Sequence, residues 1–188
     1  MANIGLRYPY IAKFNKSTGA YSDGFKCGKA VQVNVTPNYS EASLYGDDEL
    51  AEYDKAFIDA NVTLGTTTMP AAAAETVFGH TIDSTTHQVS YKATDSPNPV
   101  GVGFVSVEIE NGSRSYSANI IVNVTFSESA VDYTTKGDSL QFSTPSIEGK
   151  AGTNASGEWK IVKLFDTPSA AEDFVKSTLN IASDNQGD

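Results

Sequence analysis

The sequence predicts a mainly β protein: an antiparallel β-sandwich or partial barrel with a flanking α-helix. Three observations lead there. Hydrophobic alternation with period two dominates the chain. Charged residues make up only 19% of the 188, with Ser, Thr, Asn and Gly taking up the difference. Asn111-Gly112, between two alternating runs, is the strongest short signal for a β-hairpin, because both central residues of a type I′ turn need positive φ.

The elements follow in chain order. A short strand is expected over Arg7–Phe14. From Phe25 to Thr36, Phe25, Cys27, Lys29, Val31, Val33 and Val35 alternate with Lys26, Gly28, Ala30, Gln32, Asn34 and Thr36. Cys27 falls on the apolar side of that run and is expected to be a small buried hydrophobe. From Ile58 to Gly65, Ile58, Ala60, Val62 and Leu64 form one face and Asp59, Asn61 and Thr63 the other. Residues 37–56 are expected to be a long loop between these strands. "PAAAAETVFG" predicts a short helix, with Pro70 in its first turn and Gly79 as its stop. Gln88–Lys92 predicts a short strand, and "DSPNPVG" a loop.

A two-residue turn at Asn111-Gly112 pairs Glu110 with Ser113. Val107 then meets Tyr116 and Val105 meets Ala118, while Glu108 meets Ser115 and Ser106 meets Ser117. Apolar aligns with apolar, so the register is self-consistent. Arms of about eleven residues at ~3.4 Å each reach roughly 40 Å. The second arm has Tyr116, Ala118, Ile120, Val122, Val124 and Phe126 on one face. Its other face is Ser115, Ser117, Asn119, Asn123 and Thr125, broken only by Ile121. Gly101 and Gly103 open a strand and not a helix, so they predict a bend or a close backbone approach and no phosphate loop. Strands are also expected at Ser139–Ser143 and Glu158–Leu164, with "GKAGTNASG" as a loop. The final helix, in "TPSAAEDFVKSTLNIA", begins with Thr167, Pro168 and a Ser169-x-x-Glu172 capping box, and its apolar spacing docks one face on the sheet. The organisation is therefore one domain over 1–182 with a flexible tail at 183–188.

The formal net charge of −10 disfavours sequence-independent binding to nucleic acid, since few cations are available to displace counterions. It would let a polyanion slide past without sticking. The simpler reading is solubility. Cys27 is alone, so no disulfide framework is expected. The N-terminal stretch has no signal-peptide pattern and no run reaches membrane-spanning length, so a soluble protein made in a cytoplasm is expected, without a membrane partner. Asn34-Val-Thr36, Asn61-Val-Thr63 and Asn123-Val-Thr125 match the glycosylation pattern, but chance explains them in a chain this rich in Asn, Ser and Thr.

Catalytic motifs are lacking. His80 and His87 are the only histidines and are expected at a helix stop and in a polar turn, as surface or turn residues. There is no Gly-x-Ser-x-Gly elbow and no His-Glu-x-x-His helix. Asp47, Asp48 and Glu49 do not follow the alternate-ligand pattern of a calcium loop. Trp159 is the only tryptophan, which gives no sign of a sugar-stacking cleft. The expectation is no enzyme, no cofactor and no metal site.

The stretch "PNYSEASLYGDDELAEYD" mixes Tyr39, Leu44, Tyr45, Leu50 and Tyr53 with Glu41, Asp47, Asp48, Glu49, Glu52 and Asp54. Acidic linkers are poor in aromatics. Aromatics in a long connection fit burial against a partner, with folding back onto the chain's own sheet as the rival.

"NIGLRYPYIAKF", "GKAVQVNVTPNYSEASLYGDDELAEYDKAFIDANVTLG", a short helix ending "VFGH" and the long hairpin around "ENG" together resemble the major tail proteins of long-tailed bacteriophages, the tail tube proteins. The resemblance spans nearly the whole chain and is most specific between Gly28 and Gly65. It implies the tail tube fold, assembled as a homo-hexameric ring in which four strands per subunit join a continuous lumen wall. Rings stack into a tube that conducts DNA from capsid to host cell. The implied partners are other copies of the chain, a tape measure protein and tail completion or tip proteins, and the implied place is the virion tail, assembled in the host cytoplasm. Some relatives carry an additional immunoglobulin-like domain, which is not expected here. No catalytic residue is implied.

Related tubes reach the neighbouring ring through the loop between the second and third strands. The resemblance thus implies a ring-stacking surface at Tyr39, Glu41, Leu44, Tyr45, Asp47, Asp48, Glu49, Leu50 and Tyr53. Gln32, Asn34, Asp59, Asn61, Thr63, Ser106, Glu108, Ser115, Ser117, Asn119 and Asn123 are the candidate lumen-facing positions, neutral or acidic as a DNA conduit requires. The alternative class is a carbohydrate-binding or adhesin-like β-sandwich module.

Overall fold

The computed structural model describes residues 2–83, 85–110, 112–128 and 144–182. The strand expected at Ser139–Ser143 and the tail at 183–188 lie outside the described residues. In order, the elements are β1 (Ala2–Phe14), β2 (Tyr21–Lys26), β3 (Ala30–Gly46), β4 (Glu49–Thr66), α1 (Ala72–Thr76), β5 (Thr81–Ile82), β6 (Val89–Ser90), β7 (Pro99–Glu110), β8 (Ser113–Ser127), β9 (Ser146–Gly152), β10 (Lys160–Phe165) and α2 (Pro168–Thr178). Eight strands form one antiparallel sheet in the order β2-β1-β7-β8-β9-β4-β3, with β10 also pairing with β8. The outer edge of β8 is shared: β10 pairs with Tyr116–Ile121 and β9 with Asn123–Ser127. β5 and β6 form a separate small hairpin.

The sheet curls around a main core that joins Ile11 of β1, Val102 and Phe104 of β7, Ile121, Val124 and Phe126 of β8, Val62 and Leu64 of β4, and Val77 after α1. This is the sandwich or partial barrel expected. A second core lies on the other side of the sheet, where Ala171, Val175 and Leu179 of the α2 region pack on Tyr10, Val105, Ala118 and Ile120. Gly101 and Gly103 show why this approach is close. A Cβ on Gly103 would stand 2.4 Å from Val175 Cγ1, and one on Gly101 would stand 2.4 Å from the Tyr21 ring. The glycines are where helix and strand meet, as the sequence suggested.

The predicted register of the β7–β8 hairpin holds, from Glu110↔Ser113 through Val107↔Tyr116 to Val105↔Ala118, with Gly112 at φ +83°. Cys27 is fully buried, and burial pushes its thiol up to about 12. It sits outside a strand, between β2 and β3, so the run Phe25–Thr36 is two strands and not one.

Three β-bulges change which residues point inward. Between Val100 and Val102 of β7, β8 carries an extra residue, so Val124 and Phe126 join the main core while Ala118 and Ile120 face α2. Tyr39 pairs with Phe57 next to Asn38↔Asp59, so Ile58 is skipped and exposed, and Phe57 takes the inward place beside Trp159. Val31 is skipped likewise and is exposed.

Two helix details and one loop also differ from expectation. Thr167 caps α2, its Oγ1 accepting from the Ala170 N–H at 3.3 Å. Glu172 closes no capping box: it accepts from the Tyr10 hydroxyl at 2.6 Å and pairs with Lys176 at 3.1 Å. The first residues of "GKAGTNASG" are the end of β9, because Gly149, Lys150 and Ala151 find partners on both β4 and β8. Among the described residues no helix is long and apolar enough to cross a membrane.

Candidate functional site: an exposed β arm

Residues 37–56, expected as a loop, are a continuation of β3 and β4. The two strands pair from Ala30↔Thr66 to Gly46↔Glu49, past the level at which β9 leaves β4 at Ala60. The physical reason lies in the local sequence. Tyr, Leu, Phe and Ser alternate on both sides of an Asp47-Asp48 pair, and both aspartates take positive φ, +50° and +64°. Positive φ at both central residues is the signature of a type I′ turn, whose twist matches two paired strands. Asp tolerates that region better than most side chains. Acidic residues hid this hairpin from a reading that looked for Asn-Gly.

From Asn38 to Gly46 the arm spans roughly 27 Å at ~3.4 Å per residue. Every residue from Tyr39 to Ala56 is exposed. Cross-strand partners share a face. One face carries Tyr39 with Phe57, Glu41 with Lys55, Ser43 with Tyr53, and Tyr45 with Leu50. The other carries Ser40 with Ala56, Ala42 with Asp54, and Leu44 with Glu52. The arm therefore has an aromatic face and a small, acidic face.

The aromatic face is continuous with the body. Trp159 stacks on Phe57 at 5.1 Å, Phe57 meets Tyr39 edge-on at 6.0 Å, and the Lys55 ammonium lies 4.5 Å from the Tyr39 ring. Lys55 also pairs with Glu41. A hydrogen bond from Lys55, then its charge, hold the Glu41 carboxyl below its ordinary value, and the same bond raises Lys55. Beyond this pair, Tyr45 is 69% exposed, Leu44 60% and Leu50 55%. Of the nine stacking candidates, Tyr39, Glu41, Tyr45, Leu50 and Tyr53 share the aromatic face. Leu44 lies on the opposite one, Asp47 and Asp48 make the turn, and Glu49 pairs with Gly46.

The lumen candidates divide in two. Gln32, Asn34 and Asn61 are exposed and Asp59 and Thr63 half-buried. Asn34↔Thr63↔Glu148 and Thr36↔Asn61↔Lys150 form polar rows across β3, β4 and β9. Asp59 accepts from Asn38 Nδ2 at 2.6 Å and Lys150 Nζ at 2.8 Å, and these two bonds lower its carboxyl below the ordinary range.

On β7 and β8 the expectation of a wet face fails. Ser106, Ser117, Asn119 and Asn123 are buried, and Glu108 and Ser115 are half-buried. Asn119 Nδ2 donates to Ser106 Oγ at 3.1 Å and to the Ser117 carbonyl at 2.9 Å, while Asn123 Nδ2 donates to the Thr153 carbonyl at 3.1 Å. These polar groups are buried because they are satisfied. Ser106, Ser117 and Asn119 lie on the strand face that Val102, Phe104 and Ile121 carry into the main core, whereas Asn123, beyond the bulge, lies on the face opposite Val124. Ile121, the one interruption of that polar face, was the sign that it turns inward.

His80 is also not a surface residue. Its ring is 7% exposed and lies between Asp95 and Glu128. His87 does sit in the β5–β6 turn, at φ +57°. No group of three metal-ligating side chains occurs among the described residues. A depression of about 370 Å³, lined by Phe14, Tyr21, Val122, Asn154, Ile161 and Thr178 among others, holds no acid, lysine or histidine. No protein-family model matches the chain, and no curated protein matches it either.

Proposed function

We propose that this protein is the structural subunit of a bacteriophage tail tube, with the β arm as the element that joins one ring to the next. The observation that carries the reading is the arm: a paired hairpin that leaves the core and exposes Tyr39, Tyr45, Leu50 and Tyr53 on one face and Leu44 on the other. Contiguous exposed aromatic and aliphatic surface of this kind marks a site that another molecule covers. The resemblance noted from the sequence names that molecule as a second copy. The polar rows of β3, β4 and β9, in which Glu148 and Lys150 stand among mostly neutral side chains, supply a hydrophilic surface for a DNA conduit, and Gln32, Asn34, Asp59, Asn61 and Thr63 are its candidate wall positions. The β7–β8 residues are withdrawn from that role, apart from the half-buried Glu108 and Ser115.

Negative-stain microscopy of the purified protein at rising concentration is the test. Stacked rings or tubes are expected from the unaltered chain. The variant Leu44→Ser/Tyr45→Ser/Tyr53→Ser is expected to keep the β-type circular dichroism spectrum and to lose stacking. A protein that stays monomeric at every concentration and binds a glycan would replace this reading with a carbohydrate-binding module.

A further inference from the structure

The cluster around His80 lies apart from the arm. Its geometry is set by two carboxylates, one on each ring nitrogen: Asp95 Oδ2 is 2.8 Å from Nδ1, and Glu128 Oε1 is hydrogen-bonded to Nε2. Carboxylates accept hydrogen bonds, and a neutral imidazole has only one N–H to give. Only the imidazolium satisfies both partners at once. The neutral ring would point a lone pair at one carboxylate in a largely dry site.

Three separate segments meet here. His80 follows Gly79 just beyond α1, Asp95 lies in the connection from β6 to β7, and Glu128 directly follows β8. Lys92 N–H donates to Asp95 Oδ2 at 2.9 Å, so the Asp95 carboxylate is oriented before it meets the ring. The Tyr91 ring lies 4.2 Å from the imidazole and the Phe78 ring 6.0 Å. The excursion between α1 and β7 is also closed at its base. Asn98 Nδ2 donates to the Glu75 and Thr76 carbonyls, and the Asn98 N–H to the Val77 carbonyl. The His80 cluster is therefore a second fastening, farther out than the first.

We propose that His80 is a proton-operated latch: protonated, it staples the segment 79–98 to the end of β8 through Glu128 and holds Asp95 in place, and deprotonated it releases that segment while Asn98 keeps the base tied. The charged groups facing the ring are Asp95 from the β6–β7 connection and Glu128 from the end of β8, with the Lys92 ammonium acting on Asp95 from behind. Burial works against the imidazolium, but Asp95 and Glu128 outweigh it and the ring's pKa is raised. Asp95 is held below the ordinary carboxylate range by His80 first and then by the Lys92 N–H. A histidine whose pKa is raised in the closed state stabilises that state fully below its unfolded value, about 6.5. The stabilisation is lost as pH rises through the raised value. Between those two limits the open fraction grows about tenfold per pH unit, and it levels off above them.

The experiment follows the His80 ring by NMR from acidic to alkaline pH, with its signals assigned by a His87→Asn variant. Hydrogen exchange of segment 79–98, corrected for the chemical rate, is measured in parallel. The wild-type protein is expected to show a His80 midpoint above about 6.5 and exchange that accelerates across the same interval. Glu128→Gln is expected to lower the midpoint, and His80→Gln to make the corrected exchange independent of pH. Glu128 is 53% exposed, so its substitution leaves a folded protein even if His80→Gln does not. A midpoint at or below the ordinary value, or corrected exchange with the same pH course in wild type and Glu128→Gln, overturns the latch.

Discussion

The β7–β8 and β3–β4 hairpins are built on the same alternation and end in two very different environments. β7–β8 has neighbours on both edges, β1 on one side and β9 with β10 on the other, and packing on both faces. Its Ser106, Ser117 and Asn119 are drawn inside and bonded to one another. Among the described residues, the outer half of β3–β4 has no sheet partner beyond its own hairpin and no covering layer, so its tyrosines and leucines stay outside. Alternation decides that a segment is a strand. Which face is wet is decided by what the topology places on it, and an isolated two-stranded ribbon is marginal in water. Under the proposed function, a ribbon that stays paired while its apolar residues are exposed is a surface that a partner covers.

The largest test of the contrast is in the body. Ile121 is fully buried in the main core on the strand face where sequence alternation expected water. Ile121→Ala should destabilise the protein by about 2–5 kcal/mol in chemical denaturation, the range for truncating a buried aliphatic side chain. A loss under about 0.5 kcal/mol, the usual size for a surface change, would restore the wet-face reading of β8. Asn119→Ala comes next. It removes the donor that ties Ser106 to Ser117 and leaves buried acceptors unpaired, which costs about 1–3 kcal/mol. Urea unfolding of this single variant discriminates a buried rung from a lumen-facing amide, whose loss would leave the midpoint unchanged.

On the arm the same kind of change should do little to stability and much to assembly. Leu44→Ser, Tyr45→Ser and Tyr53→Ser touch exposed side chains, and each should shift unfolding by no more than about 0.5 kcal/mol. Sedimentation velocity of the triple variant is expected to show loss of large species under conditions where the wild type forms them. A variant that unfolds at much lower denaturant would mean that these residues support the body.

Strands β1, β6, β7, β8 and β10, the inner halves of β3 and β4, the flanking helix, the β7–β8 register and the role of the paired glycines were legible because they rest on local periodicity and turn chemistry. The face assignments of Ile58, Val124 and Phe126 were not, since a bulge inserts one residue and reverses every side chain beyond it. The arm's candidate residues were legible as an unusual mixture of acids and aromatics. Their conformation was not, because Asp-Asp is a weaker turn signal than Asn-Gly. The His80 cluster could not be foreseen at all: Asp95 and Glu128 stand 15 and 48 residues away in the chain, and only tertiary packing brings them to one ring.

The smallest expected effect lies in that Asp47-Asp48 turn, and it separates conformation from charge. Asp48 holds φ at +64°, where glycine carries no steric penalty. Asp48→Gly should therefore tighten the tip by a few tenths of a kcal/mol, offset in part by the entropy glycine gains in the open chain. Because the arm stands outside the core, it can open without unfolding the body, so the thermal midpoint should not move. The gain should appear instead as about twofold slower hydrogen exchange at the arm amides, the ratio that ~0.4 kcal/mol gives. Asp48→Asn keeps the turn preference and removes the same charge. If both variants assemble as the wild type does, the tip works by its shape. If both fail despite a sound turn, a partner grips the carboxylate itself, and the proposed interface extends to the acidic tip.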